Sequence, residues 1–134
     1  MGAWGVGPFE NDGALDWVLE LEETLGFNLI ERSLDQVNEL ILGDELESGL
    51  AENALAAAEV LAAMAGRGRA VLPADVRAWL EANTDSPPPH LLRAAAKAVK
   101  RVGDDSELAT VWKDAEHGAA WQAEVEDLLA RLKA

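Results

Sequence analysis

Leu50-Ala51-Glu52-Asn53-Ala54-Leu55-Ala56-Ala57-Ala58-Glu59-Val60-Leu61-Ala62-Ala63-Met64-Ala65 decides the fold. Alanine and leucine are the strongest helix formers, and no Gly, Pro or turn residue interrupts them. Leu55, Val60, Leu61 and Met64 supply bulk, while the alanines let neighbouring segments come close. The stretch is therefore expected to be a central helix. Gly66-Arg67-Gly68-Arg69 closes it, and the polar run Gly43-Asp44-Glu45-Leu46-Glu47-Ser48-Gly49 separates it from what precedes.

Upstream, Phe27 to Gly43 gives a second element. Ser33-Leu34-Asp35-Gln36 has the spacing of a capping box, after which Leu34, Val37, Leu40 and Ile41 recur at helical intervals. Phe27-Asn28-Leu29-Ile30 fits either a loop or an earlier turn of the same helix. Before it, Asn11 or Asp12 can cap a helix running to about Leu25 and ended by Gly26. Leu15, Val18, Leu19, Glu22 and Leu25 mark its period, and Trp17 lies one helical step from Leu21 on a broad apolar face.

Downstream, Pro73-Ala74-Asp75 opens a short helix through Val76, Trp79 and Leu80. Asn83 to Pro89 is expected to be a loop, since three consecutive prolines cannot lie inside a helix. From His90, which caps it, an amphipathic helix reaches Val102. Leu91, Leu92, Ala95, Ala96 and Val99 form one side, and Arg93, Lys97, Lys100 and Arg101 the other. Gly103-Asp104-Asp105 reads as a turn, and Ser106 caps a last helix with Glu107 in its first turn. That helix carries the stripe Leu108, Val111, Trp112, Ala115 and a displaced stripe Trp121, Val125, Leu128, Leu129, Leu132, so a kink or break is expected at Gly118. No segment alternates with the period of a strand, and no repeat is evident. The expected fold is all-α: a single domain over 1–134, built as a bundle of about six helices over 12–134.

Residues 1–11 are expected to form an irregular arm packed on that body. Trp4-Gly5-Val6-Gly7-Pro8-Phe9-Glu10-Asn11-Asp12 sets two large aromatics among glycines and a proline that shape the backbone. Trp4 and Phe9 are expected to be buried anchors. The pattern Gly2-x-x-Gly5-x-Gly7 is no phosphate cradle, because neither a preceding strand nor a P-loop lysine accompanies it.

Bulk properties narrow the function. A chain of 134 residues can bury roughly two thirds of its unfolded surface, enough for a core without staples. It has no cysteine, which removes disulfides, thiolate metal sites and cysteine nucleophiles and is compatible with a reducing cytoplasm, the expected location. No apolar run approaches ~18 residues, the start lacks the pattern of a secretory signal, and Val6 stands where a myristoylation signal wants Ser or Thr. The net charge of −14 is uneven: residues 1–60 hold 14 acids and one base (Arg32), residues 61–134 hold 11 acids and 10 bases. Such an acidic half repels nucleic acid and anionic membrane and attracts a basic protein partner.

Chemistry-bearing motifs are sparse. Asp12, Asp16 and Glu20 share one face of the first helix, with Glu23 near. They form a solvated stripe, pair with Arg93 and Lys97, or hold a hard cation; no EF-hand spacing is present, and no metal site or cofactor is assigned. His90 and His117 make no zinc pattern, Glu116 and His117 point apart as adjacent helix residues, and no serine lies in a nucleophile elbow. Trp79, Trp112 and Trp121 occupy apolar helix positions and read as core.

Met1-Gly2-Ala3-Trp4-Gly5-Val6-Gly7-Pro8-Phe9-Glu10-Asn11-Asp12, followed by Ala14-Leu15-Asp16-Trp17, resembles a bacterial family catalogued as Domain of Unknown Function 4259. Further likenesses are Ala56-Ala57-Ala58-Glu59-Val60, Trp79-Leu80 after Pro73, and Ser106-Glu107-Leu108 leading to Trp112. The resemblance covers nearly the whole chain and implies a small bacterial protein, but it supplies no activity and no catalytic residue.

The leading expectation is an interaction protein rather than an enzyme, whose acidic half meets a basic partner, one form being neutralisation of a basic toxin or nuclease. The alternative is a small-molecule or divalent-metal site, enzymatic or not, at the arm and first-helix start, built from Trp4, Glu10, Asn11, Asp12, Asp16 and Glu20. A third is self-association of the acidic first helix with the Arg93/Lys97/Lys100/Arg101 face of another copy.

Overall fold

The computed structural model describes residues 3–41, 43–69 and 71–134, and among them the regular structure is entirely helical. Met1 and Gly2, the start of the expected arm, lie outside the described residues, as does Leu42 within the expected Phe27–Gly43 element. Seven helices are present rather than six: α1 (Asp12–Glu22), α2 (Asn28–Asn38), α3 (Ser48–Met64), α4 (Ala74–Ala82), α5 (Pro89–Asp104), α6 (Glu107–Lys113) and α7 (Gly118–Lys133). Among the described residues, no helix is long and apolar enough to cross a membrane.

Helix α3 is the hub, touching every other helix. Its unbroken run from Ala54 to Ala62 is buried all round, and five of those nine residues are alanine, so partners can approach from several sides without collision. Leu55, Val60 and Leu61 fill the space that the alanines leave. Around α3 the fully buried Leu21 (α1), Ile30, Leu34 and Val37 (α2), Val76 (α4), and Val99 and Val102 (α5) complete the core. Leu46, inside the polar break before α3, is also fully buried, and its carbonyl accepts from the Glu107 N–H at 2.9 Å. That loop is thereby pinned to the start of α6.

The extra helix comes from the break at Gly118. Helix α6 stops at Lys113 and α7 restarts at Gly118 after a short turn. A side chain on Gly118 would run into the carbonyl oxygen of Trp112, so only glycine lets the chain fold back this closely. The Trp112 and Trp121 rings then stack across the turn, with centroids 6.1 Å apart and planes within 4°. The displaced second stripe belongs to this separate helix.

Several boundaries differ from expectation. Helix α2 begins at Asn28, so Ser33 is an interior residue and caps nothing. Its hydroxyl donates to the Leu29 carbonyl (2.8 Å) and accepts from the Trp17 indole N–H (2.9 Å), tying α1 to α2 through a buried bond. A hydroxyl with that partner gains nothing from a terminal position. Helix α1 stops at Glu22, and its buried stripe is Ala14, Trp17, Val18 and Leu21. Leu15, Leu19 and Leu25 are exposed instead of apolar-face residues. Helix α5 runs through Gly103 to Asp104 rather than turning there. It opens with Pro88 as cap and Pro89 at its first position, where no N–H is needed, so His90 lies inside the first turn and is not the cap.

Candidate functional site

The expected site begins with the segment before α1. Ala3 and Asn11 face each other as an isolated antiparallel bridge, and the Trp4 N–H donates to the Glu10 carbonyl at 3.0 Å. The chain between them turns tightly, with the Glu10 N–H donating to the Gly7 carbonyl (3.1 Å) and the Gly7 N–H donating to Glu10 Oε1 (3.1 Å). A side chain on Gly5 would meet the Glu10 carboxylate. Glycine here makes room for that carboxylate folded back over the turn.

Phe9 is buried, while Ala3 and Val6 pack partly buried against the core. Trp4 is 59% exposed, which corrects its expected role as a buried anchor. Neighbouring residues of extended backbone point to opposite sides. With Ala3 turned inward, Trp4 is turned out.

Asn11 caps α1, its Oδ1 accepting from the Ala14 N–H at 2.7 Å. Glu10 and Asn11 thus bond to their own turn and helix end. Asp12, Asp16 and Glu20 are exposed along α1. Glu20 bonds to Arg32 of α2 at 2.8 Å, not to Arg93 or Lys97. Among the described residues, no three His, Asp or Glu side chains are grouped to hold a metal ion. The six expected residues gather at one end and one outer face of α1, and of them only Glu10 lines the neighbouring cleft. This surface cleft of about 360 Å³ lies on the other side of the turn, lined by Gly7–Glu10, Arg69 and Val71–Pro73.

Crowded carboxylates leave an electrostatic mark. Burial raises the Glu52 carboxyl above the usual range, and the nearby Asp12 charge adds to it. Glu22 is raised too, by loss of solvent and then by the charge and hydrogen bond of Asp75 on α4.

Two features escaped sequence reasoning. One is the exposed pair Leu15 and Leu19, 38% and 60% accessible, set among the α1 acids. The competing stripe Ala14, Trp17, Val18, Leu21 has equally good helical spacing and was the signal available. The other is the buried Glu59 of α3. Arg131 of α7 reaches it with two bonds, 2.7 and 2.9 Å, while also donating to the Arg67 carbonyl (3.0 Å) and Asp127 (2.9 Å). The Arg69 N–H adds a bond to Glu59 Oε1, and the Arg69 guanidinium pairs with Glu124. An acid inside the otherwise apolar run Ala54–Ala62 signals such a partner.

The family model described as Domain of unknown function (DUF4259) matches residues 2–124. The chain belongs to this family. The DUF4259 match takes in the N-terminal turn, α1 to α6 and the beginning of α7, so the candidate face of α1 lies wholly inside it. No curated protein and no solved structure matches this DUF4259 chain.

Proposed function

We propose that this DUF4259 protein is a small acidic binding protein, not an enzyme, whose partner is a protein with a basic surface. One observation carries the reading: 14 of the 25 acids and only one base fall in residues 1–60, and Asp12, Asp16 and Glu20 on α1, Glu23 at its C-terminal cap and Glu31 on α2 all stand exposed. A surface of that charge speeds and orients encounter with a basic protein. Occupation of the positive cleft of a toxin or nuclease is one form of it. Loss of solvent is the main cause that raises the Glu22 and Glu52 carboxyls, and the charges of Asp75 and Asp12 add to it; a bound cation would relieve that added repulsion. The bonds that hold Glu10 and Asn11 in their own turn favour it over a small-molecule site. We read the helices as one bundle around α3 and the N-terminal turn as an arm laid over it, a rigid support for that surface.

The test is fluorescence anisotropy with a labelled 20-residue oligolysine at 50 to 300 mM salt. Binding is expected at 50 mM and should weaken steeply as salt rises. Neutralising Asp12, Asp16, Glu20 and Glu23 should weaken it more than neutralising Asp85, Asp114, Glu116 and Glu126, which removes the same charge elsewhere. No binding at 50 mM, or equal losses from the two sets, contradicts the proposal.

A further inference from the structure

We infer that the outward face of α1 seats a basic amphipathic helix of the partner, with Leu15 and Leu19 receiving its apolar stripe. This rests on the acidic-binding-protein reading and names the shape of what is bound. Helix α1 turns Ala14, Trp17, Val18 and Leu21 into the core and leaves the opposite side exposed, without a packing neighbour among the described residues. On that side Asp12, Asp16, Leu19 and Glu23 follow the spacing of one helix face, and Leu15 sits one turn from Leu19. All five are exposed. Single exposed leucines are ordinary on a protein surface. Two on adjacent turns, bordered by carboxylates on both sides, form a short apolar strip with a negative rim.

The complement of that strip is an apolar stripe bordered by lysine or arginine, the pattern of a basic amphipathic helix. Helix against helix also matches the spacing, since residues four apart stand one turn apart on both partners. A second copy of this chain fits less well. Its exposed bases Arg93, Lys97 and Lys100 lie on α5, whose Leu91, Ala95 and Val99 are turned into the core, so it offers charge without an apolar stripe. Two copies, each of net charge −14, also repel. Charge complementarity therefore selects a foreign basic helix.

The probes are two labelled 14-residue peptides of identical leucine and lysine content. One is arranged with helical periodicity and the other is scrambled so that no face is apolar. The first should bind the full chain about ten-fold more tightly, as expected from covering two partly exposed leucines. Leu15→Ala with Leu19→Ala should bring the two peptides level, while oligolysine binding stays unchanged. Alanine at exposed helix positions preserves the fold, which circular dichroism checks. Equal binding of both peptides to the parent chain, or an unchanged ratio in the double variant, overturns the inference yet leaves the acidic reading intact. Failure of oligolysine as well overturns both. A dimer in sedimentation that Leu19→Ala dissociates assigns the face to a second copy and overturns it too.

Discussion

Glu59 and Arg131 join the middle of α3 to the last turn of α7 through two bonds, with the carboxylate fully buried and the guanidinium one-fifth exposed. Burying a charge without a partner is expensive, and this arginine is the only side chain that bonds to Glu59 among the described residues. Arg131→Ala is expected to destabilise by about 3–5 kcal/mol, because it strands the carboxylate. The double variant Glu59→Met with Arg131→Met should recover much of that loss, since apolar residues of similar size often replace a buried pair at little cost. Urea unfolding of the parent, the single variant and the double variant measures both.

The buried bond between Trp17 and Ser33 makes a second prediction. Ser33→Ala leaves an indole N–H in the core without an acceptor and should cost about 1–3 kcal/mol. Thermal unfolding followed by circular dichroism reads the loss. An unchanged midpoint would mean that the α1–α2 contact does not depend on this bond.

Phe9 and Trp4 should behave oppositely although both lie in the N-terminal turn. Phe9→Ala removes a buried ring and is expected to cost about 3–5 kcal/mol. Trp4→Ala removes a ring that is mostly in water and should change stability by about 0.5 kcal/mol or less. Chemical denaturation of the two variants compares them directly.

Glu52 sets a pH dependence. Its carboxyl is raised in the folded chain by burial and by Asp12, so the folded state holds this proton more tightly than the unfolded chain does. Stability from this group is therefore greatest at acidic pH, declines as pH rises from the ordinary carboxyl range to the raised value, and stays diminished above it. Glu52→Gln removes the penalty. The variant should melt higher than the parent at pH 7, and the gap should close as pH falls toward 4. A lower melting temperature at pH 7 would contradict this assignment.

Helices were legible wherever periodicity and punctuation agreed. The α3 run of alanine and leucine, the proline before α4, and the Ser106 cap whose Oγ accepts from the Ala109 N–H are each local signals, and the structure follows them. Gly118 marked the break before α7, but whether a long helix bends or divides depends on Trp112 meeting Trp121, a contact formed only on folding. Ser33 misled because a cap and an interior hydroxyl look alike until Trp17 supplies the partner. The same ambiguity hid Leu15 and Leu19. Two apolar stripes overlap on α1, and only the packing against α3 and α4 decides which one is buried. Charge distribution was readable at once, because no fold is needed to count it.

Placement of the bound helix on α1 is the claim most open to direct measurement. Titration of the periodic leucine–lysine peptide into isotope-labelled protein, followed by amide chemical shifts, locates the contact residue by residue. Shifts concentrated between Asp12 and Glu23, with α5 and α7 unmoved, are the predicted result. Shifts centred on α5, or spread evenly over every exposed acid in the chain, would contradict it.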